Sequence, residues 1–128
     1  HQHACPMWVP LIENQQYTHE AGRLFIAEDV QALMNQHAAI DTILLACTHY
    51  PVLKQQIEQI VGPQVQVVAQ GAIVAVKLKD YLVAHPDMDK RLSKAAKTVY
   101  FTSEAPQVFD EKASYFLQQE VASKHHSF

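Results

Sequence analysis

The chain reads as an α/β protein with a mainly parallel sheet, and three observations lead to that class. Short apolar runs at 41–46, 65–69 and 98–102 are nearly continuous rather than alternating, the pattern of strands within a parallel sheet. Stretches with apolar residues at three-to-four spacing separate them, so strands alternate with helices. At 48% hydrophobic and 18% charged, the composition is that of a globular domain rather than a disordered segment.

The elements follow in order. His1-Gln2-His3-Ala4-Cys5-Pro6 matches no regular element, and Pro6 and Pro10 flank the apolar Trp8-Val9. Two prolines that close argue against a helix interior and a central strand, so residues 4–12 are expected to form a tightly packed loop. A chain that opens inside a packed loop reads as truncated. Thr18 is the expected N-cap of a helix over 19–37, with Leu24, Val30, Leu33, Met34 and His37 on one face. The strand at 41–46 is expected to be covered on both faces. After Cys47-Thr48-His49-Tyr50, Pro51 suits the first turn of a helix, which carries Leu53, Ile57 and Ile60 and stops near Gly62-Pro63. A second strand at 65–69 reaches Gln70-Gly71, expected to turn the chain into a helix through Val76, Leu78 and Leu82 that ends before Pro86. Residues 87–97 are a loop or short helix, and 98–102 a third strand. Ser103 leads into a last helix with Val108, Phe109, Ala113, Phe116 and Leu117, and the tail at 123–128 is expected to fray. Three strands are few for a parallel sheet, which needs cover on both faces, so a further segment is expected to complete it.

Composition excludes several functions. Ten Lys and Arg against thirteen Asp and Glu give a net charge of −3, the wrong sign for binding that depends on neutralising phosphates. No apolar run approaches the ~20 residues that span a bilayer, and the order of a signal peptide is absent. Two cysteines cannot frame a chain of this length. The expectation is a soluble, cytoplasmic protein that binds neither nucleic acid nor membrane. A compact chain of 14.5 kDa has a folded surface of roughly 6,900 Å², about a third of its unfolded value.

In open α/β sheets, ligands bind at the carboxyl ends of strands, beside helix N-termini. Only the junction Ala46-Cys47-Thr48-His49-Tyr50-Pro51 carries reactive groups there; Ala69-Gln70-Gly71 and Thr102-Ser103 offer polar side chains without a titrating one. A cysteine at a strand end, facing the positive end of the next helix with an imidazole two residues on, has surroundings that favour the thiolate. Thr48 and the free backbone N–H groups could hold a carboxylate. The same residues also fit a small buried hydrophobe and a helix-capping histidine, and spacing leaves both readings open. His1, His3 and Cys5 stand at alternate positions with ligating atoms, but nothing in the sequence supplies the supporting shell a metal needs, so no metal is assigned.

The run Leu45-Ala46-Cys47-Thr48-His49-Tyr50-Pro51-Val52-Leu53 strongly resembles the second-cysteine motif of glutamate racemases, in the aspartate/glutamate racemase family. Ala4-Cys5-Pro6-Met7-Trp8-Val9-Pro10-Leu11-Ile12-Glu13 looks like that family's loop ending in an active-site glutamate. Val67-Val68-Ala69-Gln70-Gly71 and Tyr100-Phe101-Thr102-Ser103 are similar to its two later strands and follow in family order. Many relatives carry Asp-Ser-Gly where this chain has Ala69-Gln70-Gly71. Nothing matches the family's first half, with its Asp-Ser motif and first catalytic cysteine, so the resemblance is to the C-terminal half only.

The resemblance implies flavodoxin-like lobes left incomplete, residues 1–70 finishing the second and 71–128 returning to complete the first. It implies a cofactor-independent isomerase that interconverts L- and D-glutamate with two thiols, supplying peptidoglycan and thus cell-wall biogenesis and cell shape. Cys47 would be the acid/base thiol for one face, assisted by His49 through hydrogen bonding or proton exchange and by the carboxylate of Glu13, and Thr48 would bind substrate. Cys5 would be structural. Glutamate and a second copy of the chain, as a homodimer, are the implied partners, with no cofactor and no metal, and the half alone is expected to be inactive. The alternatives are an aspartate racemase, another family member, or a non-catalytic α/β interaction module.

Overall fold

The computed structural model describes residues 1–127. The chain divides into two compact units, 1–85 and 86–128. The α/β class with parallel strands holds, but the strands lie in two separate two-stranded sheets and number four among the described residues.

The first unit begins with helix α1 (Trp8–Glu13), where a loop was expected. Pro10 is its third residue, and the first four N–H groups of a helix have no intrahelical acceptor, so the proline costs no hydrogen bond. A 3₁₀ turn (Gln16–Thr18) follows, entered through Gln15 at φ 57°. Helix α2 (Glu20–Met34) is capped by His19 rather than Thr18, which the 3₁₀ turn absorbs. Its buried stripe is Gly22, Ile26 and Val30, at strict four-residue spacing. Leu24, expected inside, is exposed, because α2 buries one narrow stripe and not the broader face the pattern suggested. Gly22 is required there: a Cβ would run into the Gln16 carbonyl of the turn that α2 crosses.

Strand β1 (Thr42–Leu45) pairs in parallel with β2 (Gln66–Ala69), from Thr42↔Gln66 to Leu45↔Ala69. Ile43, Leu45 and Val67 are buried, whereas Leu44 is 56% exposed. The expectation of cover on both faces of β1 therefore fails on one. Between the strands, a 3₁₀ turn (Tyr50–Leu53) with Pro51 near its start delivers the chain into helix α3 (Lys54–Val61). Helix α3 stops at Gly62, whose φ of 74° favours a residue without Cβ. Trp8 and Ile12 from α1, Ile26 and Val30 from α2, Leu53, and Ile57 from α3 complete the core. Strand β2 passes directly into helix α4 (Gln70–Ala84), with Ala69 as N-cap and no intervening turn. Helix α4 buries nothing, and Ile73, Val74, Val76, Leu78 and Val83 all face outward.

The second unit opens with helix α5 (Pro86–Arg91), then strand β3 (Tyr100–Thr102) and helix α6 (Pro106–Leu117). The tail does not fray: Ser123–His125 forms β4, parallel to β3. A β–α–β connection makes this pairing possible, and two side chains anchor its return. Asp110 Oδ1 accepts from the Ser123 N–H at 2.9 Å, and Ser114 Oγ accepts from the Val121 N–H at 3.0 Å. Val121 and Thr102 are its buried residues. Phe128 of the expected tail lies outside the described residues.

The accessible surface is 9581 Å². Among the described residues no helix is long and apolar enough to cross a membrane.

Two glycines test this packing. Gly22→Ala should destabilise the chain by about 1–3 kcal/mol, because the Gln16 backbone cannot yield to the new methyl group. Gly71→Ala, in the first turn of α4 with open space around its Cβ position, should be neutral or stabilise by up to ~1 kcal/mol. Urea midpoints at constant slope measure both.

Candidate functional site

The register of β1 and β2 brings the carboxyl ends of both strands level, so the segments that follow them are neighbours. Cys47 and Thr48 after β1, with Gln70 and Gly71 opening α4, line one cleft of about 400 Å³ together with Pro51 and Val74. Cys47 is half-buried and Thr48 exposed. The cleft holds no cationic side chain. Its anion-binding potential therefore lies in the Thr48 hydroxyl, the Gln70 amide and the first-turn N–H groups of α4.

Beside this cleft, Glu13 and His49 meet across 36 residues. The last residue of α1 accepts a hydrogen bond at Oε1 from His49 Nε2, at 2.7 Å. Both side chains are about one-third exposed, so the pair reaches solvent. With Nε2–H directed at the carboxylate, Nδ1 of the neutral imidazole is left as acceptor, and Thr48 Oγ1 stands 3.5 Å from it. The imidazole thus engages Glu13 and Thr48 and not the Cys47 sulfur. Thr48 is the residue common to the carboxylate–imidazole pair and the cleft.

Tyr50 ties this loop to the chain start. Its ring packs edge-on against Trp8 at 4.8 Å between centroids and 60° between planes. Its hydroxyl donates to the Cys5 carbonyl at 3.3 Å. Burial above all, reinforced by repulsion from Cys5, Cys47 and Asp29 when these are ionised, raises the Tyr50 pKa, which keeps the hydroxyl a donor. Burial, reinforced by Asp29, also pushes the Cys5 thiol up to about 11, so this thiol is a poor base at neutral pH.

The structure therefore joins Glu13, His49 and Thr48 by hydrogen bonds and sets Cys47 beside Thr48 in the cleft. The α-helix beyond Cys47 starts at Lys54, one 3₁₀ turn later than the expected position near Pro51. Gln70 was not among the candidate residues. Its signal was its position at the next strand end, which becomes informative only once the two strands are known to be neighbours.

No protein-family model matches the chain. Glutamate racemases do: that of Streptococcus pyogenes is 32% identical over 123 residues, which are 95% of this chain and 45% of the relative. That of Chlorobaculum parvum is 36% identical over 118 residues, 92% of this chain and 42% of the relative. Among solved structures, a glutamate racemase isoform from Bacillus anthracis matches with a TM-score of 0.82 and 23% identity, over all of this chain and 47% of that one. The Francisella tularensis glutamate racemase, solved in complex with D-glutamate, matches with a TM-score of 0.76 and 22% identity, over 96% of this chain and 45% of that one. In sequence and fold the chain is thus similar to glutamate racemases, and it spans somewhat less than half of their length.

The two thiols should separate under alkylation. At pH 7 Cys5 should react at least ~100-fold more slowly than an unstructured cysteine, because a rise from 9.0 to about 11 reduces its thiolate share by that factor. Its rate should rise about tenfold per pH unit from neutral pH and level off only near pH 11. Mass spectrometry should show Cys47 modified first in the folded chain, and the two equally once it is unfolded in urea.

Proposed function

We propose that the chain is the C-terminal half of a cofactor-independent glutamate racemase, and that it supplies the acid/base machinery for one face of the substrate. The observation that carries this reading is the Glu13–His49 hydrogen bond of 2.7 Å, adjoining the strand-end cleft that Cys47 and Thr48 line. The similarity to glutamate racemases supports the substrate, and the exposed apolar side chains of α4 support a half that works within a larger assembly. On this reading residues 1–70 finish one lobe, residues 71–128 return to the other, and the assembled cytoplasmic enzyme is a homodimer that supplies D-glutamate for peptidoglycan.

The chemistry follows from the groups present. The α-hydrogen of an amino acid is a weak acid, and inversion needs a base on one face and an acid on the other. Cys47 as thiolate removes the α-proton and becomes a thiol, while a thiol on the opposite face gives its proton to the α-carbon and becomes a thiolate. The reverse reaction exchanges these roles. Thr48, Gln70 and the first-turn amides of α4 hold a substrate carboxylate within reach of the sulfur, where proximity lowers the barrier and aimed donors stabilise the carbanion. His49 assists by way of Thr48: Glu13 fixes its tautomer, its Nδ1 faces the Thr48 hydroxyl, and a proton exchanged between the ring and the Cys47 thiol passes through that hydroxyl.

Two outcomes test this. In the full-length enzyme, Glu13→Gln and His49→Asn should each lower kcat by about 10²-fold or more, unequally in the L-to-D and D-to-L directions, with little change in thermal midpoint. Turnover unchanged in both directions would remove these residues from the mechanism. The 128-residue chain alone should leave the optical rotation of L-glutamate unchanged, because it supplies a base for one face only. Circular dichroism and NMR of the α-position in D₂O measure this, and racemisation that disappears in Cys47→Ala would refute the one-sided assignment.

A further inference from the structure

A second cluster lies in the first unit, apart from the carboxylate–imidazole pair. A ring nitrogen of His3, Cys5 Sγ and one carboxylate oxygen of Asp29 all lie within 4.8 Å of one another. His1, the other nearby histidine, stacks on His37 instead. His3 and Cys5 sit two residues apart in the stretch before α1, and Asp29 stands on α2 just before the buried Val30. Their side chains line a small cavity of about 60 Å³, and Trp8 and Tyr50 line it too. We propose that His3, Cys5 and Asp29 form a binding site for a divalent transition metal of the zinc class.

Four observations carry this. The donor set of imidazole nitrogen, sulfur and carboxylate oxygen is one that zinc and cobalt accept and that magnesium and calcium, which prefer all-oxygen shells, do not. The spacing is close to what such an ion needs. Bonds of about 2.0–2.3 Å at tetrahedral angles put ligand atoms roughly 3.3–3.6 Å apart, so rotations of three side chains suffice. In the present geometry His3 Nε2–H donates to Asp29 Oδ1 at 2.8 Å, and the ion would replace that proton between the two atoms. Charge balances, because a thiolate, a carboxylate and a neutral imidazole leave a divalent ion in a neutral site, and the ion supplies the positive charge that the buried thiol lacks. Finally, Trp8 is 4% exposed, and its indole N–H has no acceptor among the described residues. A water or hydroxide as fourth ligand in the same cavity would give this buried donor an acceptor.

Cobalt(II) titration of the 128-residue chain, followed by absorbance and by the fluorescence of Trp8, the single tryptophan, tests the site. One equivalent should produce a sulfur-to-cobalt charge-transfer band, the strong visible bands of four-coordinate cobalt, and quenching of Trp8, all reversed by zinc. Cys5→Ser should abolish the charge-transfer band, and Cys47→Ser should leave it intact. His3→Gln and Asp29→Asn, at partly exposed positions that leave the fold unchanged by circular dichroism, should each weaken binding at least ~10-fold. The site is refuted if the charge-transfer band is missing, if it depends on Cys47, or if His3→Gln and Asp29→Asn bind as tightly as the parent. Weak binding of several equivalents without sulfur ligation, as scattered surface histidines would give, also refutes it.

Discussion

The parallel pairing of β1 with β2, in the register Leu45↔Ala69, constrains everything else in the first unit. Side chains alternate along a strand, so this register turns Ile43, Leu45 and Val67 together onto the covered face. A slip of one residue would bring Leu44 and Val68 inward and leave Ile57 and Ile26 facing the wrong partners. The same register levels the two strand ends. Only because Leu45 and Ala69 are partners do Cys47-Thr48 and Gln70-Gly71 open into one cleft. Packing and the candidate chemistry thus depend on one set of backbone hydrogen bonds.

A second layer of order holds the chain start against that sheet. Trp8 and Ile12 bury one side of α1, and Trp8 meets Tyr50 edge-to-face, which fixes the loop after β1 relative to the helix. With both ends anchored, Glu13 and His49 meet with little side-chain freedom left to lose. A hydrogen bond between partly exposed groups contributes modestly to stability by itself. Its value lies in orientation: the carboxylate selects which imidazole nitrogen carries the proton and which faces Thr48. Gly22 performs a comparable service for the backbone, letting α2 lie against the 3₁₀ turn that returns the chain from α1.

The surface is that of a chain with more apolar area than its own core can absorb. Helix α4 exposes five large aliphatic side chains, and β1 exposes Leu44. Water contact with such area is unfavourable by about 25 cal/mol per Å², which favours covering these side chains. This agrees with a chain that matches its relatives over nearly all of its own length and under half of theirs.

Much of this was legible in the sequence. Continuous apolar runs identified the strands, although β1 is covered on one face only, and Gly62 marked the end of α3 because a residue without Cβ accepts a positive φ, whereas Pro51 marked a 3₁₀ turn ahead of that helix and not its first turn. The Cys47-Thr48-His49 segment stood out because strand ends are where backbone groups are free to bind. Other features were decided only by tertiary structure. Pro10 inside α1 depends on where the helix begins, since a proline is harmless only before the first intrahelical acceptor is needed. The strand at Ser123–His125 carries no apolar pattern and exists because Asp110 and Ser114 on α6 hold its backbone beside β3. The Glu13–His49 bond, the shared cleft with Gln70, and the approach of Asp29 to His3 and Cys5 all join residues far apart along the chain. Local propensity and spacing determine which elements form and where reactive groups emerge; which of those groups meet is set by packing and strand register, and those exist only in the folded chain.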